Sequence, residues 1–275
     1  SSNYIDPEDE LAFVDAGGIT GSWNSTSGVL SLSGNATLAQ YQTALRSVTY
    51  ENTNGTNPST ALRQIDFLVY DWDDPSNTVS RNINIIAVNS SPTLSGIAGP
   101  TLGYTEGTGP VSGSFPTSIT DLDDTNMEGA TISVTNNFFS GEDELGFVDA
   151  GGITSSWNSG TGVLTLSGTA SIAQYETALG NVTYENLSSD PVEVTRTISF
   201  TVNDGDGNSN TETRDLDLTA VNSAPVLSNI EASIPVYQGA DLQLTNTIEV
   251  SDPDDTQIDS AIVVINENFK TAEDS

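Results

Sequence analysis

Residues 3–52 and 137–186 align without a gap, and 35 of the 50 positions are identical. A chain that repeats itself over this length is built of tandem units, each of which buries its apolar face within itself or against a neighbour. The offset of 134, fixed by Gly34 against Gly168, falls to 133 after one deletion, so that Pro92 matches Pro225. A third copy opens near the end. Ser251-Asp252-Pro253-Asp254-Asp255-Thr256 repeats Thr120-Asp121-Leu122-Asp123-Asp124-Thr125, and Glu273-Asp274 repeats Glu142-Asp143. The repeat divides the 275 residues into the C-terminal two-thirds of a first module (1–90), a complete second module (91–223) and the N-terminal part of a third (224–275). Its boundaries fall at Ala87-Val88-Asn89-Ser90-Ser91-Pro92 and Ala220-Val221-Asn222-Ser223-Ala224-Pro225, each read as a strand running into a Pro-ended link. The window opens and closes inside a module, as a segment of a longer array would.

The middle module alternates apolar and polar residues with period two, in Thr131-Ile132-Ser133-Val134, Val163-Leu164-Thr165-Leu166 and Ile198-Ser199-Phe200-Thr201-Val202. Such runs are half-buried strands. Ile153 to Trp157 and Gly162 to Gly168 read as a hairpin, repeated at Ile19 to Gly34, and Val182 to Glu185 and Glu212 to Val221 are further strands. One segment breaks the alternation. Ser171-Ile172-Ala173-Gln174 and Thr37-Leu38-Ala39-Gln40 have the spacing of a capping box, so a short helix follows, with Ile172, Tyr175 and Leu179 on one face covering a sandwich edge. Trp23 and Trp157, matched in the first hairpin strand, are expected in the core. Trp72, whose counterpart Gly205 lies in a loop, is expected as a semi-exposed loop aromatic.

Charge narrows the function. Six Lys+Arg against 38 Asp+Glu leave a formal charge of -32, which repels nucleic acid and anionic membrane surfaces. With no Cys and no His there is no disulfide, no zinc, haem or iron–sulfur ligation and no imidazole chemistry. No run approaches the roughly 18 apolar residues of a spanning helix, and the start at Ser1 shows neither a basic region nor an apolar signal core, so no membrane insertion is expected.

The acids gather in presumed loops: Asp121, Asp123 and Asp124; Glu142 and Asp143; Asp204 and Asp206. An Asp-x-Asp loop lets two carboxylates converge on one hard cation, and Ca²⁺ takes six to eight oxygens, more than one pair supplies. In a seven-stranded sandwich entered at one end and left at the other, both Asp-x-Asp loops face the preceding module. Asp121 to Asp124 and Asp204 to Asp206 would then meet the linker at Asn89, with Glu8 and Asp9 approaching from the first module. The same logic at the next link gathers Glu142, Asp143, Asn222, Asp252, Asp254 and Asp255. The competing explanation is turn chemistry, since Asp and Asn form Asx turns and an acidic surface keeps an array soluble.

The sequence resembles the cadherin-like repeats of large bacterial surface proteins and adhesins. The likeness is carried by Thr161-Gly162-Val163-Leu164-Thr165-Leu166, Phe200-Thr201-Val202-Asn203-Asp204-Gly205-Asp206-Gly207, Asp121-x-Asp123-Asp124 and the linker Ala220 to Pro225. The resemblance implies an all-β fold of tandem cadherin-like, Ig-like Greek-key sandwiches with one short helix each. It also implies interdomain calcium held by Asp121, Asp123, Asn89 and their repeats, with Glu106 in the place of the family's early glutamate. Departures limit it. Ser90 and Ser223 stand where animal cadherins usually carry another acid, Gln238 replaces the early glutamate in the third copy, and the first copy has Asp71-Trp72-Asp73-Asp74 in place of Asp-Gly-Asp-Gly. The expected role is a calcium-stiffened stalk or filament segment at a bacterial cell surface, partnered by neighbouring modules and by other copies in a fibre. A glycan-binding module is the alternative, and an enzyme is not expected because a catalytic carboxylate pair has no reason to recur along an array.

Overall fold

A computed structural model describes residues 3–71, 73–239, 241–265 and 267. The first copy comprises β1 (Asp9–Ala12), β2 (Thr20–Asn24), β3 (Val29–Ser33), α1 (Leu38–Ser47), β4 (Thr49–Asn52), β5 (Arg63–Phe67) and β6 (Val79–Ile83). The second begins with β7 (Thr93–Ser95), β8 (Leu102–Thr105), β9 (Val111–Ser112), β10 (Ser118–Thr120), β11 (Asn126–Asn136) and β12 (Asp143–Gly146). It continues through β13 (Thr154–Asn158), β14 (Val163–Ser171), α2 (Ile172–Gly180), β15 (Thr183–Asn186), β16 (Arg196–Asn203) and β17 (Glu212–Thr219). The third copy contributes β18 (Val226–Ser228) and β19 (Glu249–Ser251). The all-β expectation holds, with one short helix in each of the first two copies. The links 84–92 and 220–225 are irregular, because β6 and β17 end before them, so the strands expected to run into the Pro-ended links stop short.

The chain folds as two compact units. One comprises 1–93, 119–128 and 202–210, and the other 94–118, 129–201 and 211–275. The first unit therefore contains two loops that belong by sequence to the second copy.

In the second unit the strands form a six-stranded sheet, β13-β14-β11-β16-β17-β8, and a three-stranded sheet, β12-β15-β9. The parallel β17–β8 pair closes one side of the larger sheet. The two sheets face each other through apolar rows that alternate as the sequence predicts. Tyr104 meets Tyr184 edge-on at 5.1 Å between centroids, and Phe115 meets Phe200 at the same distance. Leu164, Leu166, Ile198 and Leu216 are buried between them.

Both helices begin as expected. In α2 the Gln174 backbone N–H donates to Ser171 Oγ at 3.4 Å while the Ser171 N–H donates to Gln174 Oε1 at 2.9 Å, satisfying two donors that a helix start leaves free. Thr37 and Gln40 repeat both bonds at the start of α1. The same glutamine amides reach the turns that precede the hairpins, Gln174 to the Gly151 carbonyl at 3.0 Å and Gln40 to that of Gly17 at 3.2 Å. Tyr175 and Leu179 are buried as the helix face predicts, while Ile172 stays half-buried. Gly168 ends the hairpin with φ of 137°, where a Cβ would strike the Gly152 carbonyl oxygen, so glycine is required there.

Trp23 and Trp157 are half-buried rather than in the core. Each meets one aromatic edge-on, Tyr4 at 6.1 Å and Phe138 at 6.3 Å. Trp72 and the Glu273-Asp274 repeat lie outside the described residues.

Candidate metal centre

Two acidic clusters have the same local construction. In the first unit, carboxylate oxygens of Asp121, Asp123 and Asp124 lie within 4.8 Å of one another, as do those of Asp252, Asp254 and Asp255 in the second. The leading Asp shapes each loop by an Asx turn. Asp121 Oδ1 accepts from the N–H groups of Asp123 and Asp124, both at 3.0 Å, and Asp252 Oδ1 accepts from those of Asp254 at 3.3 Å and Asp255 at 3.1 Å. The linker then caps the middle Asp. Ser90 N–H donates to both Asp123 oxygens at 3.1 and 3.0 Å, and Ser223 N–H donates to Asp254 Oδ2 at 2.7 Å. That bond holds the Asp254 carboxyl below the usual range. The two serines thus contribute through the backbone.

The second Asp-x-Asp loop is tied to the same linker as the first cluster. Asn89 Nδ2 donates to Asp204 Oδ2 at 3.0 Å, and Asp204 Oδ1 accepts from Asp206 at 2.8 Å and Gly207 at 2.6 Å. Burial raises the Asp204 pKa, but these donors outweigh it and the net direction is down. Asp124 moves the other way. Burial and the charges of Asp121, Asp123, Asp204 and Asp206 push its carboxyl up, so the metal-free cluster resists full ionisation.

Turn chemistry accounts for one oxygen of each leading Asp, not for all the carboxylate oxygens. Among the described residues, three buried side-chain oxygens have no hydrogen-bond partner: Asp121 Oδ2, Glu142 Oε2 and Asp254 Oδ1. All three belong to residues the sequence nominated. A buried carboxylate oxygen with no partner costs several kcal/mol of lost hydration unless a cation sits against it.

The remaining nominated acids differ. Glu106 Oε2 accepts from Val221 N–H at 2.8 Å beside the second linker, and Asn222 Nδ2 donates to the Ser223 carbonyl at 2.8 Å. Glu8 is fully engaged, by Asn54 at 2.9 Å, Ser59 N–H at 3.1 Å and Arg63 Nη2 at 3.2 Å. Asp9 and Asp143 face inward onto arginines. Asp143 accepts from Tyr184 Oη at 2.5 Å, Asn186 Nδ2 at 3.0 Å, Phe139 N–H at 2.8 Å and Arg196 Nε at 3.3 Å. Asp9 repeats the set with Tyr50 at 2.5 Å, Asn52 at 3.3 Å, Ile5 N–H at 2.9 Å and Arg63 Nε at 2.9 Å. Burial raises the Tyr184 and Tyr50 pKa values, and the neighbouring aspartate adds to this. Sequence reasoning missed this network. The signal was present: Arg63 and Arg196 are two of only six cations and stand at the 133-residue offset.

No family model matches the chain. Over 144 residues it is 33% identical to halomucin of Haloquadratum walsbyi, a match spanning 50% of this chain and 2% of that protein. Among solved structures it is similar to a protocadherin GammaB4 extracellular domain, at 15% identity and a TM-score of 0.25, covering 90% of this chain and 32% of that one. Human CDH23 EC21-23 is similar at 12% identity and a TM-score of 0.25, covering 91% and 75%. The fold assignment rests on the sheets described above.

Proposed function

We propose that the chain is a non-enzymatic segment of an extracellular tandem array whose linkers are stiffened by calcium, serving as a stalk or filament at a bacterial cell surface. The first ion set comprises Asp121, Asp123, Asp124, Asp204, Asp206 and Asn89. The second comprises Asp252, Asp254, Asp255, Glu142, Glu106 and Asn222. Asp9 and Asp143 are left out, since protein donors already occupy them, and Glu8 is left out for the same reason.

The observation that carries this reading is the coincidence of the three orphaned buried oxygens with the nominated acids. Oxygen-only sites with several carboxylates are the chemistry of a hard divalent cation, and the sequence has neither Cys nor His. A charge of -32 also strains a compact fold, and bound cations relieve it. The likeness to part of halomucin agrees with a repeat segment, because the matched stretch is a small fraction of a far longer protein. The glycan-binding alternative has less support, since each described tryptophan is half-buried with an aromatic neighbour rather than laid open as a stacking platform.

Thermal unfolding in calcium and in EDTA tests the proposal. A ligand that binds only the folded state stabilises it by about 2.7 kcal/mol per site at a hundredfold excess over Kd. The expected result is a clear rise in Tm with calcium that Asp123→Asn and Asp254→Asn each reduce. An unchanged Tm contradicts the proposal.

A further inference from the structure

Attachment of a glycan to asparagine asks three things of a folded chain: the motif Asn-x-Ser/Thr with x other than Pro, an amide nitrogen that reaches solvent, and an unengaged hydroxyl two residues on. The sequence carries the motif six times, at Asn24, Asn35, Asn54, Asn89, Asn181 and Asn186. The fold sorts them. Asn54 Nδ2 donates to Glu8 at 2.9 Å and to the Asn57 carbonyl at 2.8 Å, and Asn89 Nδ2 donates to Asp204 at 3.0 Å. Asn186 is buried, with its Nδ2 on Asp143 at 3.0 Å. Asn35 and Asn181 are exposed, but the hydroxyls of their motifs are engaged. Thr37 caps α1 and donates to Gln40 at 2.8 Å, and Thr183 donates to the Gly146 carbonyl at 3.3 Å.

Asn24-Ser25-Thr26 meets all three conditions. It enters the turn between β2 and β3, and each of its residues is exposed. Asn24 Oδ1 accepts from the N–H groups of Thr26 at 3.1 Å and Ser27 at 3.2 Å. This Asx turn holds the amide by its oxygen and leaves Nδ2 and the Thr26 hydroxyl without a partner among the described residues. Residues 16–45 also carry no Asp, Glu, Lys or Arg, so an anionic glycosyl diphosphate meets less repulsion there than at the motifs that touch Glu8, Asp143 or Asp204. The complete second copy contains the matched turn. Asn158 is exposed and its Oδ1 accepts from the Gly160 N–H at 3.0 Å, but Gly160 stands where the first copy has Thr26. The turn is the same and the hydroxyl is gone.

We propose that Asn24 is an N-glycan acceptor, with an oligosaccharide joined through diphosphate to a polyprenyl carrier as donor. Asn24 Nδ2 bonds to the anomeric carbon as the bond from that carbon to the diphosphate oxygen breaks. The diphosphate leaves with the bonding pair, and the amide gives up one proton to solvent. Oδ1 remains an acceptor, so the turn survives the modification. In the cell the site rests on the extracellular reading, since only an exported chain meets the donor, and it is independent of calcium.

The test is transfer in vitro, with the folded full chain, a purified oligosaccharyltransferase, a polyprenyl-diphosphate oligosaccharide and an Asn-x-Thr peptide to show that the enzyme is active. A reaction of purified components does not depend on where the chain resides, so its outcome is separate from that of the extracellular reading. The intact mass is expected to rise by one glycan, mapped to Asn24. Asn24→Gln and Thr26→Ala are each expected to abolish the rise. Gly160→Thr is expected to add a second glycan at Asn158, because a Cβ at Gly160 meets only Asn158 Oδ1, at 3.4 Å. An unmodified Asn24 beside a glycosylated peptide overturns the proposal. So does equal modification of Asn54, Asn89 or Asn186, or a Gly160→Thr chain that gains nothing.

Discussion

Leu32 and Leu166 occupy the same position in two copies that share 35 of 50 residues, yet Leu166 is fully buried and Leu32 only half-buried. Tyr50 and Tyr184, Leu45 and Leu179, and Phe67 and Phe200 differ in the same way. The hairpins, capping boxes and inward-facing Asp–Arg pairs, by contrast, form alike in both. The difference separates two layers of encoding. Devices whose partners lie close in sequence, or pair two side chains, are complete in each copy. Burial of the apolar rows in the second copy depends on β11, which pairs between β14 and β16 and so joins the two hairpins into one sheet.

The largest expected effect falls on the buried pair. Removing one member of a buried, hydrogen-bonded ion pair costs about 3–5 kcal/mol because the other charge is stranded. Arg196→Ala is therefore expected to lower the unfolding free energy of the second module, measured by urea denaturation, by that order. Arg63→Ala is expected to cost less, since Tyr50, Ile65 and Phe67 around it are half-buried where Tyr184, Ile198 and Phe200 are buried. Equal losses would mean that the two copies are equally closed in solution.

A subtler contrast sits one residue away. Glu8 Oε2 binds Arg63 Nη2, while Glu142 Oε2 and Arg196 Nη2 both lack partners. Calorimetric calcium titration is expected to show Glu142→Gln weakening binding about tenfold, a difference of about 1.4 kcal/mol. Glu8→Gln is expected to leave calcium binding unchanged and lower only stability. Identical behaviour of the two variants would erase the distinction.

The smallest effect should be the most even. Thr37→Ala and Ser171→Ala each remove an N-cap, worth about 1 kcal/mol. The loss in stability is expected to be similar in both copies, because the cap is local. A much larger loss at Ser171, measured by urea unfolding, would show that the cap draws on the surrounding sandwich.

Most of the fold was legible because period-two alternation and the S/T-x-x-Q box are short-range signals. The repeat also supplied each of them twice. The acidic loops were legible as clusters for the same reason. What the residues could not reveal was direction. Asp143 and Glu142 are adjacent in a strand entry, so one points to the core and the other away, and composition alone gives both the same charge. The tryptophans were misplaced by one layer because the expected core position is occupied by Leu164 and Leu166, leaving Trp157 at the margin beside Phe138. The irregular links also escaped prediction, since apolar runs such as Ile85-Ile86-Ala87-Val88 resemble a strand until no partner edge is found for them.

Anomalous diffraction from crystals grown with calcium and then exchanged into terbium addresses the oxygen-lined clusters most directly. Peaks within about 2.3–2.6 Å of carboxylate oxygens of Asp121, Asp123 and Asp124, and again at Asp252, Asp254 and Asp255, are the predicted result. Clusters without a peak, in crystals that bind the ion elsewhere, would contradict the account.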